Sequence, residues 1–205
     1  MAYRVVVLVS GSGTLLQSLI DATGTAHPAV EETPAELPGV EIVGVISDRA
    51  DAAALTRAAD AGVPTEVVAL ASAADRDAWN LRLRDAVARH DPDLVISAGF
   101  MRIVGPPFLE RYAGSMINTH PSLLPAFPGR HAVRDALAHG VRVSGATIFM
   151  VDEGVDTGRI IAQHPVFIHP SDDSETLHER IKVVERQLLI DTVRHFAEEG
   201  RHVRD

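Results

Sequence analysis

Cysteine is absent from the 205-residue chain. That excludes a disulfide framework, a thiolate metal site and a cysteine nucleophile. Lysine is almost absent as well. Lys182 is the sole lysine, so nearly all of the 19 basic side chains are arginines. No apolar run approaches the length needed to cross a bilayer. The start, Met1-Ala2-Tyr3-Arg4 followed at once by Val5-Val6-Val7-Leu8-Val9, is too short for a signal peptide and lacks a cleavage site. It reads as a first buried strand, and a cytoplasmic protein with no membrane partner is expected. A basic excess is missing too: the formal charge of −9 argues against a general nucleic-acid binder. Small anionic substrates stay open, because they respond to the local field.

What is present is ordinary globular composition, 46% hydrophobic and 23% charged, in a chain long enough for one domain with a substantial core. Apolar runs at 5–9, 40–46, 65–68, 94–98 and 116–117 alternate with helical patterns at 15–22, 52–61 and 76–90. This alternation predicts an α/β fold, an open, mostly parallel twisted sheet with helices on both faces. The early strands are continuous runs because both of their faces are buried. At 143–151 and 160–167 two more strands follow with no helix between them, which predicts an antiparallel addition at one edge. The segment 24–39 has three prolines, three glutamates and no periodicity, and reads as an exposed insertion. A final long helix is expected after Ser171-Asp172-Asp173-Ser174, with Leu177, Ile181, Val184, Leu188 and Phe196 on its packed face.

Ser10-Gly11-Ser12-Gly13-Thr14 follows the first strand and opens the first helix. Glycines there permit a tight turn, and free amides at the helix N-terminus can hold a phosphate. A dinucleotide fingerprint would need a third glycine where Leu16 stands, although Asp48 at the end of the second strand could pass for its ribose-binding acid. A bare strand-to-helix turn is the plain alternative.

The most informative stretch is Asn118-Thr119-His120-Pro121-Ser122-Leu123-Leu124-Pro125. Asn118 and His120 stand two apart at a strand end, so their side chains project to the same side. Strand C-terminal ends are where open α/β sheets bind ligands. A neutral amide donor beside an imidazole is suited to polarise a carbonyl and to hold the oxyanion formed when it is attacked. A capped strand end with a satisfied core histidine competes with this reading. A second polar loop, Asp152-Glu153-Gly154-Val155-Asp156-Thr157-Gly158, joins the two late strands. An acid there could orient His120 and relay protons; by pattern alone it is a solvated acidic turn. The other histidines form no helical metal pair, and the Gly-x-Ser-x-Gly elbow of many serine hydrolases is missing.

Four stretches resemble the phosphoribosylglycinamide formyltransferase family, in its order and spacing and across nearly the whole chain. They are Val9-Ser10-Gly11-Ser12-Gly13, Ala98-Gly99-Phe100-Met101-Arg102-Ile103, the Asn118–Pro125 stretch and Asp156-Thr157-Gly158. The resemblance implies a Rossmann-like formyltransferase domain over 1–205, with a phosphate-binding half at 1–100 and a folate-binding and catalytic half at 101–205. It implies Asn118, His120 and Asp156 as catalytic residues. The phosphate of glycinamide ribonucleotide would lie on the amides of Gly13, Thr14 and Leu15, with Pro121, Lys182 and Glu185 completing that pocket. The co-substrate 10-formyltetrahydrofolate would lie against Met101, Arg102, Ile103 and Val104 and the loop residues Asp152, Glu153, Gly154 and Val155, with Arg76 toward its glutamate tail. No metal is implied. A homodimer is compatible with the resemblance, though the sequence names no interface. Two positions depart from the family: Leu15 where Asn is usual, and Phe149 where His is common.

The implied reaction is direct attack of the amine on the formyl carbon, with Asn118 and His120 stabilising the oxyanion and Asp156 relaying a proton. The rivals are a formyltetrahydrofolate deformylase, a methionyl-tRNA formyltransferase, a non-catalytic binding module and a nicotinamide-dependent oxidoreductase. The first two normally carry a further domain, for which a chain of this length is expected to have no room. The intact Asn118, His120 and Asp156 set speaks against the third, and Leu16 against the fourth.

Overall fold

A computed structural model describes residues 2–24 and 37–199. Seven strands form one sheet: β1 (Tyr3–Val9), β2 (Val40–Ser47), β3 (Thr65–Val67), β4 (Leu94–Ser97), β5 (Met116–His120), β6 (Val143–Met150) and β7 (Ile160–Phe167). Their spatial order is β3-β2-β1-β4-β5-β6-β7. The first five are parallel; β6 runs antiparallel to β5, and β7 to β6. The chain winds outward from β1 in one direction and returns to the other side at β4, so the order reverses between β1 and β4. Open α/β sheets bind their ligands outside the strand ends at such a reversal.

Both faces of β1 are buried, which is why its sequence is an unbroken apolar run. Val5, Val7 and Val9 enter one core, while Val6 and Leu8 enter the other. The first core is covered by α1 (Thr14–Ala22), α2 (Ala53–Asp60) and the second half of α6 (Ser174–Glu199). The second is covered by α3 (Arg76–Ala88) and α4 (Pro106–Tyr112), through Trp79, Leu83, Phe108 and Tyr112. A smaller third cluster joins α5 (Ala132–His139) to the start of α6 over β6 and β7. Pro165 sits in the exposed edge strand β7, where a missing amide costs the sheet nothing.

Two helices, α4 and α5, are absent from the sequence reading. Both are short, at seven and eight residues, and α4 is announced only by its first residues, Pro106 and Pro107. The expected start of α6 is realised by Asp173, whose Oδ1 accepts from the amides of Glu175 (3.1 Å) and Thr176 (2.9 Å). Those backbone donors hold its carboxyl below the ordinary value. Leu177, Ile181 and Phe196 are buried as expected, but Leu189, Ile190 and Val193 supply the rest of the packed face, with Val184 and Leu188 at its margin. Most of the segment read as an exposed insertion, 25–36, lies outside the described residues; just after it Leu37 is buried. No helix among the described residues is long and apolar enough to cross a membrane.

Candidate active site

Strand register assembles the site. Leu8 of β1 pairs with Ser97 of β4, and Ser97 pairs with Asn118 of β5. With neighbouring strands about 4.8 Å apart, the glycine loop that follows β1 starts roughly 10 Å to the side of Asn118. The loop after β4 lies between them. Three segments widely separated in sequence therefore open onto one crevice.

Strand β5 runs further than its apolar residues, through His120. Asn118 and His120 are thus alternate residues of a paired strand, opposite Phe149 and Thr147 of β6. Phe149 is buried, so an apolar ring faces Asn118 where the family commonly has an imidazole. His120 is only 4% exposed. Its Nε2 lies 2.8 Å from the Phe127 carbonyl, which can only accept, so Nε2 carries the hydrogen. Its Nδ1 lies 3.3 Å from Oδ2 of Asp156. With Asp156 ionised, that contact is attractive only when Nδ1 is protonated too. Oδ2 of Asp156 also accepts from the amide of Gly129 at 2.7 Å. The loop leaving β6 opposite Ile117 reaches back along β5 to make this pair, which sequence spacing cannot show.

Three non-glycine residues among the described ones have positive φ, and two are the partners of His120: Phe127 (φ 55) and Asp156 (φ 56). Side chains pay for that conformation, and structures keep it where surrounding contacts fix it, often at functional sites. Here the contacts are visible. Ser122 donates to the Ala126 carbonyl (2.6 Å), and Thr147 Oγ1 donates to the Ser122 carbonyl (2.7 Å). Thr147 Oγ1 accepts from the Leu124 amide (3.1 Å), and Gln163 on β7 donates to Leu124 O (2.8 Å) and to Thr147 Oγ1 (2.9 Å). At the acidic loop, a Cβ on Gly158 would lie 1.7 Å from the Met150 carbonyl, so only glycine lets the chain pass. The close approach there is to the chain itself. Asp152 closes the loop, accepting from Gly154 N (3.0 Å) and Thr157 Oγ1 (2.8 Å), while Glu153 and Val155 face solvent.

On the phosphate side, Gly13 is the N-cap of α1 at φ 74, and no side chain caps the helix. The first-turn amides therefore point outward with a partial positive charge. A side chain at Gly13 would strike Ala54, 2.6 Å away. Arg57 and Ala54 of α2 hold the loop from behind, donating to Ser12 O (2.8 Å) and Gly11 O (3.1 Å). Leu15 is buried in the first core, so the departure from Asn removes a polar side chain and adds packing. Pro121 directly follows His120. On α6, Lys182 pairs with Glu179 at 2.7 Å and stays part-exposed. Glu185, one turn on, is buried; burial raises its carboxyl above the ordinary value, while the Thr119 hydroxyl, Lys182 and Arg186 pull the other way. Thr119 stands between Asn118 and His120 with its side chain on the other side of β5, so Glu185 meets the strand from that opposite side.

The loop after β4 presents apolar side chains to solvent: Met101 is 74% and Ile103 55% exposed, with Val104 buried behind them. Arg102 and Arg76, both expected to face a ligand, are engaged within the protein. Arg102 Nε donates to Asp48 Oδ2 at 2.6 Å. Arg76 donates to the Ile103 carbonyl and lies over the Trp79 ring, 5.1 Å from its centroid. Asn80, buried on α3, accepts from the Gly105 amide at 2.7 Å. Asp48 is occupied as well: its other oxygen accepts from Ser10 Oγ at 2.5 Å, and with a side chain 1% exposed it is turned into the protein instead of toward a ribose. Sequence reasoning missed Ser10, Asn80, Phe127, Thr147 and Gln163 as parts of the site. Ser10 lay within a flagged motif, and the others carry no local signal. Among the described residues no His, Asp and Glu group is placed to hold a metal.

An imidazole paired with a carboxylate on a Rossmann-like sheet, beside a neutral amide donor, is an arrangement suited to acid–base chemistry on a carbonyl. The family is equally clear. Residues 3–193 match the model described as formyl transferase, and the chain belongs to that family. Phosphoribosylglycinamide formyltransferase of Mycobacterium tuberculosis is 54% identical over 197 residues, 96% of this chain and 86% of the relative. The trifunctional purine biosynthetic protein adenosine-3 of Homo sapiens is 39% identical over 91% of this chain, which spans 17% of that longer protein. Glycinamide ribonucleotide transformylase 1 from Symbiobacterium toebii has a solved structure with a TM-score of 0.89 at 40% identity, covering 97% of this chain and 89% of that one.

Proposed function

We propose that this chain transfers the formyl group of 10-formyltetrahydrofolate to the amine of glycinamide ribonucleotide, a cytoplasmic step of purine synthesis. The carrying observation is the contact at 3.3 Å between Asp156 and the buried His120, which stands on the strand that also presents Asn118. The roughly 10 Å between Asn118 and the start of the glycine loop suits a substrate with a phosphate at one end and a reacting amine at the other. In this reading Gly13, Thr14 and Leu15 hold the phosphate through backbone amides. Lys182 and Glu185 hold the rest of the nucleotide, the carboxylate accepting from ribose hydroxyls, and Pro121 walls the pocket. Met101, Ile103, Val104 and Val155 give the folate an apolar surface, with Asp152, Glu153 and Gly154 closing its edge. Arg102 and Arg76 shape that surface through their bonds to Asp48 and Ile103. A single domain spans 1–205, the phosphate loop in the half 1–100 and the reacting groups in the half 101–205.

The chemistry follows from the side chains. The amine nitrogen bonds to the formyl carbon while Asn118 Nδ2 and the His120 ring donate to the oxygen that becomes negative. Both ring nitrogens already have protein partners; the 3.3 Å contact to Asp156 is the longer and weaker of the two, so the Nδ1 hydrogen can be shared with the oxyanion without turning the ring. Asp156 then accepts the proton lost by the amine and passes it toward the folate nitrogen as the carbon–nitrogen bond to the carrier breaks. The substrate pair can be tested directly by incubating the purified chain with 10-formyltetrahydrofolate, with and without glycinamide ribonucleotide. Tetrahydrofolate and formylglycinamide ribonucleotide should appear together, and only with the amine. Formate released at the same rate without amine would replace this reading by a deformylase.

A further inference from the structure

The phosphate loop and the apolar loop are joined by a buried group that the reaction does not use. Asp48 closes β2, and its side chain is 1% exposed. One oxygen accepts from Ser10 Oγ (2.5 Å) and the other from Arg102 Nε (2.6 Å), while Ser10 Oγ in turn accepts from the Met101 amide (2.8 Å). Ser10 opens the glycine loop after β1, and Met101 and Arg102 belong to the loop after β4. In the sheet β2, β1 and β4 are neighbours in that order, so Asp48 reaches past the end of β1 to the β4 loop. A carboxylate buried this deeply is stable only while each oxygen is paired. Displacing Met101 and Arg102 would strand its charge, and displacing Ser10 would unpair both Asp48 and the Met101 amide. The far sides of the two loops are pinned separately, by Arg57 on Ser12 and by Arg76 on Ile103.

We propose that Asp48 is a positioning residue that, through Ser10 and Arg102, makes the phosphate loop and the Met101–Ile103 surface one unit, so that the two substrates help each other to bind. The link follows from the contacts above, while the identity of the ligands rests on the function proposed in the preceding section. Ordering one loop with its ligand removes part of the cost of ordering the other, and such coupling is reciprocal. In the native chain, saturating glycinamide ribonucleotide should tighten tetrahydrofolate binding about fivefold, and the reverse by the same factor, at the lower end of usual coupling strengths.

Asp48→Asn keeps the shape and removes the charge. Calorimetric titration should then show a coupling factor near one, with KM for the folate raised about tenfold and kcat at saturation of both substrates changed less than threefold, because no reacting atom has moved. Ser10→Ala, a milder change that keeps the buried ion pair, should lose the coupling too. In an Arg102→Ala background, Asp48→Asn should cost less than threefold in folate KM, since the partner is already gone. Amide exchange supplies a readout that needs no ligand: segments 10–15 and 99–104 should lose protection together in Asp48→Asn. If the native chain shows no coupling, if both variants keep it, or if kcat falls with KM unchanged, the proposal is overturned. Paired exchange changes in a chain that binds neither ligand would leave the link standing and remove the functional reading. Binding of both ligands with neither coupling nor exchange responding would do the opposite.

Discussion

His120 and Met101 stand at the ends of adjacent parallel strands, β5 and β4, yet their surroundings are opposite. His120 is 4% exposed with both ring nitrogens partnered, whereas Met101 is 74% exposed. The difference fits the part each plays in the proposed reaction. Groups that stabilise developing charge work best when they are fixed in advance and shielded from water, because reorganising them during the reaction raises the barrier. Apolar groups that bind a ligand contribute by leaving water when it arrives, so they wait exposed. The backbone around each region agrees. Phe127 and Asp156, which face His120, hold left-handed conformations secured by the Ser122, Thr147 and Gly129 hydrogen bonds. The Met101 loop has its backbone anchored through Ser10, Asn80 and Arg76 while the Met101 and Ile103 side chains stay exposed.

If that contrast is right, damage at the two regions separates into different kinetic constants. The largest effect is expected for Asp156→Asn. An amide there no longer carries the charge that holds His120, and kcat should fall by roughly 10⁴-fold, the scale seen when a carboxylate orienting a catalytic imidazole is neutralised. Steady-state turnover near the native value would remove Asp156 from the mechanism. Asn118→Ala should follow, with kcat down about 100- to 1,000-fold for the loss of one oxyanion donor and KM for either substrate moved only a few-fold. A purely KM-based loss would place Asn118 among the binding groups.

Met101→Ala should act on the other constant. Losing contact with an apolar ligand is worth about 1–2 kcal/mol, so KM for the folate should rise roughly tenfold with kcat unchanged. Its melting temperature should stay within about 1 °C, since the side chain is already exposed and surface substitutions cost little. A clear drop in melting temperature would show that Met101 packs in the free protein. The smallest effect concerns Glu185, whose carboxyl is raised above its ordinary value by burial. A raised carboxyl binds its proton more tightly folded than unfolded. Its contribution to stability is therefore greatest below the ordinary carboxylate range and is lost as pH rises from there through the raised value. Glu185→Gln should flatten that slope in thermal unfolding scans from acid to neutral pH and stabilise the free chain at neutrality. It should also raise KM for glycinamide ribonucleotide if the ionised carboxylate accepts from ribose hydroxyls. An unaltered slope would show that the group keeps its ordinary behaviour.

The periodicity of β1 and β2, the breaks between elements and the antiparallel pair β6–β7 were all legible, because burial on two faces or on one leaves a pattern a few residues long. Helices α4 and α5 were not, being two turns each. In the site, Asn118 and His120 could be paired from their spacing on one strand. Asp156 could be placed beside them only through the family resemblance, since 35 residues and a strand reversal lie between it and His120. Arg102 and Arg76 were expected to meet a ligand on the family resemblance alone. In the fold they are turned toward Asp48 and Ile103.

What the sequence by itself determined is the alternation of strand and helix, the glycine turn that only a residue tolerant of positive φ can make at Gly13, and the Asn118–His120 pair. Each depends on neighbours within a few positions, where geometry is fixed by the covalent chain. Tertiary structure alone decided that Asp156 lies 3.3 Å from His120, that Phe127 offers its carbonyl to the same ring, and that Asp48 joins the loops of β1 and β4. These contacts bridge segments brought together by the order of strands in the sheet, and buried polar groups at such junctions take whichever partners the packing supplies.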